Sequence, residues 1–203
     1  MDRKRLSDWF SNYQFKQDGY KHFSVLIPLI EVDGEIHVLY EVRSSHLRNQ
    51  PNEICFPGGK REPNEAFALT AIRETCEELQ ISPEDIELIA QLDDVITPFN
   101  MYIHVYLGFL NVEREAIDFA RDEVAEIFTV PLSFLLTARV EQYTSKANIM
   151  PPEDFPYEKI QPNYEWKVGR YPILFIQFME YAIWGITARI TANFIETLKD
   201  LSS

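Results

Sequence analysis

Apolar and β-branched residues fall in short runs along most of the chain, a pattern typical of strands. The first two runs, Phe23 to Val32 and Glu35 to Val42, are joined by Asp33-Gly34, a dipeptide that favours a tight β-hairpin turn. Three further runs predict strands at residues 54–56, 86–97 and 102–112. We expect these segments to pair in one mixed sheet.

Helical periodicity precedes the first strand and returns after the third. The first amphipathic stretch has its apolar positions at Leu6, Trp9, Phe10 and Tyr13. We expect this helix to pack on the protein's own core rather than on a membrane. The second helix is predicted to begin near Asn64, and its apolar positions are Leu69, Ile72, Cys76 and Leu79.

The last third of the chain is less regular. A strand is predicted at Val124 to Val130 and a short helix at Pro131 to Leu136, since proline suits a first helical turn. Prolines between Met150 and Pro162 favour a loop, either a lid or an inert connection. Tyr171 to Trp184 is apolar with polar interruptions, which favours a strand over a membrane span, and Thr187 to Leu201 predicts a closing helix.

These elements predict an α/β protein with a helix on either side of a mixed sheet. The 203 residues, 46% of them hydrophobic, are enough for one well-buried domain. We therefore expect a single domain over residues 1–203, with a helical arm at 1–20. Residues 139–203 are expected to form a strand and helix extension packed on the same domain.

Charge and cysteine content narrow the classes of partner. A net charge of −13 disfavours nucleic acid as a partner, because that affinity comes from lysine and arginine. Cys55 and Cys76 are expected to be free thiols rather than a disulfide, and the four histidines lack zinc-site spacing. The opening residues lack a secretory h-region and the last three are not a peroxisomal address, so we expect a cytoplasmic location.

The segment from Gly59 to Ile81 carries charged residues at an unusual spacing. On a helix, Glu74, Glu77 and Glu78 are expected to project as one carboxylate cluster, opposite the apolar positions. Oxygen ligands of this kind suit Mg²⁺ or Mn²⁺. The alternative is an acidic face that simply lies in water.

The residues before this helix, Phe56-Pro57-Gly58-Gly59, favour the first interpretation. The chain here resembles the Nudix hydrolases, whose box is G-x5-E-x7-R-E-U-x-E-E-x-G-U with U apolar. The matching residues are Gly59, Glu65, Arg73, Glu74, Glu77, Glu78 and Ile81. The resemblance implies an α/β/α sandwich and hydrolysis of a nucleoside diphosphate derivative.

Two box positions depart from the family pattern. Thr75 occupies an apolar slot, and we expect it to bury its methyl group and return its hydroxyl to a preceding carbonyl. Gln80 replaces the final glycine, which suits a left-handed residue at a helix end. A non-glycine residue in that conformation costs roughly 1 kcal/mol but removes no metal ligand.

A second stretch resembles the coenzyme A pyrophosphatases, with the pattern R-S-x3-R-x3-G-x3-F-P-G-G. Arg43-Ser44 and Arg48 precede Phe56-Pro57-Gly58-Gly59 at the required spacing. Asn52 stands at a glycine position, where asparagine is able to adopt a positive φ. Arg43 and Arg48 are candidates for bidentate phosphate contacts, the alternative being surface arginines, with Arg48 paired to a nearby acid. The candidate substrate-binding residues are Arg43, Ser44, Arg48, Phe56, Gly58 and Gly59.

The resemblance also implies roles at the metal site. The carbonyl of Gly58 and the carboxylates of Glu74, Glu77 and Glu78 would hold Mg²⁺ or Mn²⁺, with Arg73 and Glu65 in support. Family members commonly add a carboxylate from a later loop. Glu123 is the candidate here, as metal ligand or base, and Glu126 is the alternative.

The favoured function is hydrolysis of coenzyme A or its thioesters to 3',5'-ADP and 4'-phosphopantetheine compounds. One alternative changes the substrate to ADP-ribose, a reduced dinucleotide or a dinucleoside polyphosphate. Another is a Nudix-fold regulator that binds nucleotide without turnover, although a pure binder has no need of repelling carboxylates. The aromatic-rich C-terminal third would suit a homodimer.

Overall fold

The computed structural model describes residues 3–11, 19–160 and 164–202. The described strands are β1 Lys21–Val32, β2 Glu35–Arg43, β3 Ile54–Cys55, β4 Gly58–Lys60, β5 Ile86–Gln91, β6 Val95–Ile96, β7 Met101–Leu110, β8 Val124–Pro131, β9 Glu141–Ala147, β10 Gly169–Phe178 and β11 Tyr181–Trp184. The described α-helices are α1 Arg3–Ser11, α2 Phe67–Leu79, α3 Leu132–Thr137 and α4 Gly185–Leu201.

Eight of these strands form one mixed sheet, as predicted. β1 pairs antiparallel with β2 and β4 and parallel with β7, while β5 and β6 add antiparallel to β7. β3 and β8 both pair with β2. The predicted hairpin between β1 and β2 is confirmed: Asp33 and Gly34 both have positive φ, as a two-residue hairpin turn requires.

Helices cover both faces of this sheet, which confirms the α/β/α arrangement. Along β1, Leu26 and Ile30 pack in the cluster that includes residues of α2, whereas Ile27 and Leu29 pack on the opposite face. That opposite face is covered by α3, by α4 and by strands β10 and β11 of the small antiparallel sheet β9-β10-β11. Successive residues of a strand point to opposite faces, so β1 serves both core clusters.

Several element boundaries differ from the prediction. α2 begins at Phe67 rather than near Asn64, because Asn64 has a left-handed φ of 65° that a helix cannot include. The run at 86–97 is broken into β5 and β6. Tyr171 to Trp184 is two strands, β10 and β11, which reverse direction at Met179, another residue with positive φ.

The strand β9 was not predicted at all. Its sequence EQYTSKA is exposed at every position and lacks the apolar alternation that marks a half-buried strand. It is held by pairing with β10, from Ala147 opposite Gly169 to Glu141 opposite Phe175. The proline-rich segment is a loop as far as Ile160, interrupted by a 3₁₀ turn at Tyr157–Lys159, and Pro162 lies outside the described residues.

The predicted N-terminal helix is present as α1. Trp9 on this helix is exposed and lies under the guanidinium of Arg5. The side chains of Leu6 and Phe10, and all of Tyr13, lie outside the described residues. No helix in the described part of the chain is long and apolar enough to cross a membrane.

Candidate active site

A glycine pair lets α2 lie directly against β4. Gly58 has a φ of 153°, and a Cβ placed there would lie 2.3 Å from the carbonyl oxygen of Ser24. A Cβ on Gly59 would lie 2.1 Å from the carboxylate of Glu74. A larger residue at position 58 would therefore collide with β1, and one at position 59 would displace the carboxylate of Glu74.

Glu78 is the most deeply placed of the box acids. It is only 5% exposed, and its Oε2 accepts a hydrogen bond of 2.8 Å from the backbone N–H of Gly58. Burial is the main cause of a pKa of Glu78 raised to about 8; the nearby charges of Glu74 and Glu123 act in the same direction, and the Gly58 hydrogen bond opposes them. A nearby positive charge would therefore stabilise the ionised form of this carboxyl group.

The expected arrangement of three glutamates opposite an apolar face is wrong. Leu69 is 58% exposed, whereas Glu78 is buried and the side chain of Glu77 is 62% exposed. The reason is helical geometry: Ala71, Thr75 and Glu78, at spacings of four and three, form the stripe that faces the sheet. Glu78 therefore belongs to the buried stripe and Glu77 to the rim.

The two departures from the box are accommodated as predicted. Thr75 is fully buried and its hydroxyl donates a hydrogen bond of 2.7 Å to the carbonyl of Ala71. Gln80 ends α2 with a φ of 52° and a ψ of 42°, the left-handed conformation expected at this position. Neither change removes a charged side chain from the site.

Arg73 connects the acids at the rim. Its guanidinium lies 2.8 Å from Glu65 and from Glu74, and 3.2 Å from Glu77. Its hydrogen bonds are the main cause of the lowered pKa of Glu65, about 2, and Glu65 also accepts a hydrogen bond from Thr70. The structure thus brings together the two residues predicted to support the acids.

Through these contacts the box carboxylates are turned toward other groups of the same chain. Within the described residues, no three side chains of His, Cys, Asp or Glu are grouped closely enough to hold a metal ion. Glu74 is turned to Arg73, and Glu78 is turned to Gly58. A bound cation would therefore require some of these carboxylates to rotate.

Glu41 was missed by the sequence reasoning. It lies on β2 and is 1% exposed. Burial raises its pKa well above the usual range, and Glu78 and Glu123 are close enough for their charges to raise this pKa further. The available signal was its place in β2, two residues after the buried Leu39, which puts it on the face covered by α2.

The end of β2 carries the predicted phosphate-binding residues. Arg43 is partly buried, and its charge lowers the pKa values of Glu41 and Glu78. Ser44 is buried, and its backbone N–H donates a hydrogen bond of 2.8 Å to the carbonyl of Glu123. This bond ties the loop of Glu123 to the end of β2.

The loop after β2 exposes Arg48. It forms no hydrogen bond or ion pair with the residues that the structure describes, so the alternative of an acid-paired Arg48 is not observed. Asn52 has a φ of 61°, which confirms the expected left-handed turn, and its N–H bonds to the carbonyl of Arg43.

Two predicted residues lie away from this cluster. The ring of Phe56 is buried 4.9 Å from the ring of Tyr40, in the core on the face opposite α2. It therefore anchors the glycine turn rather than facing the site. Glu126, the alternative loop acid, accepts a hydrogen bond from the hydroxyl of Tyr181 and lies opposite Val42, whose side chain packs on that same far face.

Comparison with known proteins places these features in a family. The NUDIX domain model matches residues 20–165. The chain is 36% identical over 139 residues to the peroxisomal coenzyme A diphosphatase NUDT7 of Mus musculus, covering 68% of this chain and 58% of that protein. It is 33% identical over 124 residues to the mitochondrial coenzyme A diphosphatase NUDT8 of Homo sapiens, covering 60% and 52%.

The chain thus spans little more than half the length of these two relatives. Among solved structures, a MutT/nudix family protein from Enterococcus faecalis matches with a TM-score of 0.51 at 17% identity. That match covers 98% of this chain and 70% of the other. It supports the fold.

Proposed function

This chain belongs to the NUDIX domain family, and we propose that it hydrolyses the pyrophosphate bond of coenzyme A or its thioesters. Water would add to one phosphorus and the bridging P–O bond would break, giving 3',5'-ADP and a 4'-phosphopantetheine compound. The observation that carries the chemistry is the packing of Glu74 and Glu78 against the Gly58-Gly59 turn. The names of the two mammalian relatives support the substrate.

Nudix hydrolases generally use divalent metal ions, and the chemistry of the acids here suits such an ion once some carboxylates have rotated. The side chains available as metal ligands are carboxylates, and Oε1 of Glu41 is buried with no hydrogen-bond partner in the described part of the chain. These are properties that a hard cation such as Mg²⁺ or Mn²⁺ satisfies. The residues that would hold it are Gly58, through its carbonyl, and Glu74, Glu77, Glu78 and Glu123.

When bound, such a cation neutralises phosphate oxygens and lowers the pKa of a bound water. The chain's own residues orient the carboxylates. Arg73 and Glu65 hold Glu74 and Glu77 at the rim, and the N–H of Gly58 holds Glu78 beneath the helix. Glu123 contributes negative charge near Glu74 and Glu78, which supports it as the loop carboxylate and proton acceptor.

Substrate phosphates need a positive partner in a protein with a net charge of −13. Arg48 is exposed. Arg43 lies at the end of β2, near enough for its charge to lower the pKa of Glu78. Guanidinium groups bind phosphate in bidentate geometry, so we assign both arginines to phosphate binding. A cytoplasmic location and a homodimer rest on the sequence reasoning and stay predictions.

A mass-resolved product assay tests the substrate. The purified protein with Mg²⁺ or Mn²⁺ would be offered coenzyme A, acetyl-coenzyme A, ADP-ribose, NADH and a dinucleoside polyphosphate separately. Release of 3',5'-ADP from coenzyme A is expected. Cleavage of another substrate alone would reject the coenzyme A assignment and keep the chemistry, and nucleotide binding without any product would favour a regulator.

A further inference from the structure

The buried carboxylate of Glu41 lies outside the box and has no role in the site described so far. It points from β2 to the face covered by α2. The charged residues near enough to affect its ionisation are Glu78, Arg43 and Glu123. On the adjacent strand it lies directly opposite Cys55. A carboxylate at 1% exposure among two other acids is an unusual use of a strand position.

The protein does not satisfy this group. Oε1 has no hydrogen-bond partner among the described residues, and Oε2 has only the Cys55 thiol, with Sγ at 3.9 Å. Burial raises the pKa of that thiol, so it stays protonated and offers only a weak donor. Arg43 is the nearby cation, yet its Nε is itself buried and has no partner among the residues that the structure describes, so the pair is not hydrogen-bonded through that atom.

An unsatisfied carboxyl group in such a place is costly to the fold. A buried polar group without a hydrogen bond loses its water and gains nothing in return, and neighbouring acids add repulsion. Apolar residues of similar size would pack β2 against α2 without this cost. A cation bound between β2 and α2 would make a favourable interaction with this oxygen and offset the cost of its burial.

We propose that Glu41 is a further carboxylate of the divalent-cation site, acting together with Glu78 from beneath the box helix. The inference rests on the proposed function, because it assumes that a divalent cation binds at these acids. Glu41 reaches the cation site from the sheet, whereas the carboxylates of the box reach it from α2. Its oxygen either binds the cation or orients a group that does, and it is a positioning residue in the second case.

The test is the affinity of the folded protein for Mn²⁺, measured by electron paramagnetic resonance without substrate. Glu41→Gln keeps the size of the side chain but leaves no carboxylate that a cation could bind. Glu31→Gln is the matched control, because it makes the same substitution at an exposed position on β1 near the hairpin turn. Glu41→Asp, which keeps the charge, serves if the Gln variant does not fold.

We expect Glu41→Gln to bind Mn²⁺ about 10- to 100-fold more weakly than the wild type, the scale seen when a supporting residue of a metal site is lost. The rise in Tm on adding Mn²⁺ should be smaller in this variant than in the wild type, and Glu31→Gln should match the wild type in both. Glu41→Asp should bind Mn²⁺ more weakly than the wild type but better than a variant without the charge.

Equal Mn²⁺ affinity in Glu41→Gln and the wild type, or in Glu41→Asp where only that variant folds, would overturn the proposal. A wild type that binds no Mn²⁺ would overturn both this inference and the proposed cation use. A wild type that binds Mn²⁺ through Glu41 but leaves coenzyme A intact would support the inference and reject only the substrate.

Discussion

The backbone N–H of Gly58 donates a hydrogen bond of 2.8 Å to Oε2 of Glu78. This bond joins the glycine turn after β3 to the last part of α2, although the two residues are twenty positions apart in the chain. It fixes the direction of a carboxylate whose pKa burial raises to about 8. The turn therefore orients the carboxylate of Glu78 as well as making room for the helix.

Gly59→Ala should disable the site without unfolding the protein. The added Cβ would lie 2.1 Å from the Glu74 carboxylate, so that side chain must move away from its present position. We expect Mn²⁺ affinity to fall about tenfold or more. Titration calorimetry and circular dichroism would check the change, and Gly169→Ala, where the nearest atoms are at 3.4 Å, is the control expected to bind normally.

Arg48→Ala should weaken coenzyme A selectively. Loss of a charge-assisted hydrogen bond, worth about 1.5–3 kcal/mol, predicts a fall in kcat/KM of roughly 10- to 100-fold, carried mainly by KM. Steady-state kinetics on coenzyme A and ADP-ribose would show it. Arg170→Ala, another exposed arginine, controls for the lost positive charge. Equal losses on both substrates would argue against a role of Arg48 in specificity.

Glu65→Gln should destabilise the protein in a pH-dependent way. Hydrogen bonds from Arg73 are the main cause of the lowered pKa of Glu65, from 4.5 to about 2. Its contribution to the free energy of unfolding is therefore complete above pH 4.5 and is lost as pH falls toward 2. Urea unfolding at pH 7, 5 and 3.5 should show a deficit in the variant that narrows at the lowest pH. A constant deficit would contradict this assignment.

Gln80→Gly should stabilise the protein and leave turnover unchanged. Gln80 ends α2 in the left-handed conformation, which costs a non-glycine residue up to about 1 kcal/mol. Urea unfolding should therefore show a gain of about 0.5–1 kcal/mol. The same substitution at Gln142, an exposed residue within β9, should instead cost stability. A loss at position 80 would mean that the side chain of Gln80 makes a contact of its own.

The sequence predicted correctly those features that depend on a residue and its near neighbours in the chain. The Asp33-Gly34 turn and the hydroxyl of Thr75 follow from local preferences that need no tertiary contacts, whereas the left-handed Gln80 follows from the glycine that the family pattern has at this position. The helix α2 follows from the apolar spacing of one segment, and the supporting roles of Arg73 and Glu65 follow from the family resemblance.

What the sequence could not predict depends on packing between distant segments. Glu78 is buried because α2 turns that stripe to the sheet, and Glu41 joins it from a strand 37 residues earlier. Phe56 faces the opposite core because the strand alternates there. β9 exists because β10 offers it a partner, and its polar sequence carries no sign of that pairing.

The dependence of hydrolysis on Glu78 is the decisive property to measure. Rates of 3',5'-ADP release from coenzyme A with Mn²⁺ would be compared for the wild type, Glu78→Gln and the surface control Glu31→Gln, each with its circular dichroism spectrum. We expect Glu78→Gln to lose at least about 10²- to 10³-fold in kcat with a native spectrum, and Glu31→Gln to match the wild type. A folded Glu78→Gln variant with wild-type turnover would contradict an active site built on the Gly58–Glu78 contact.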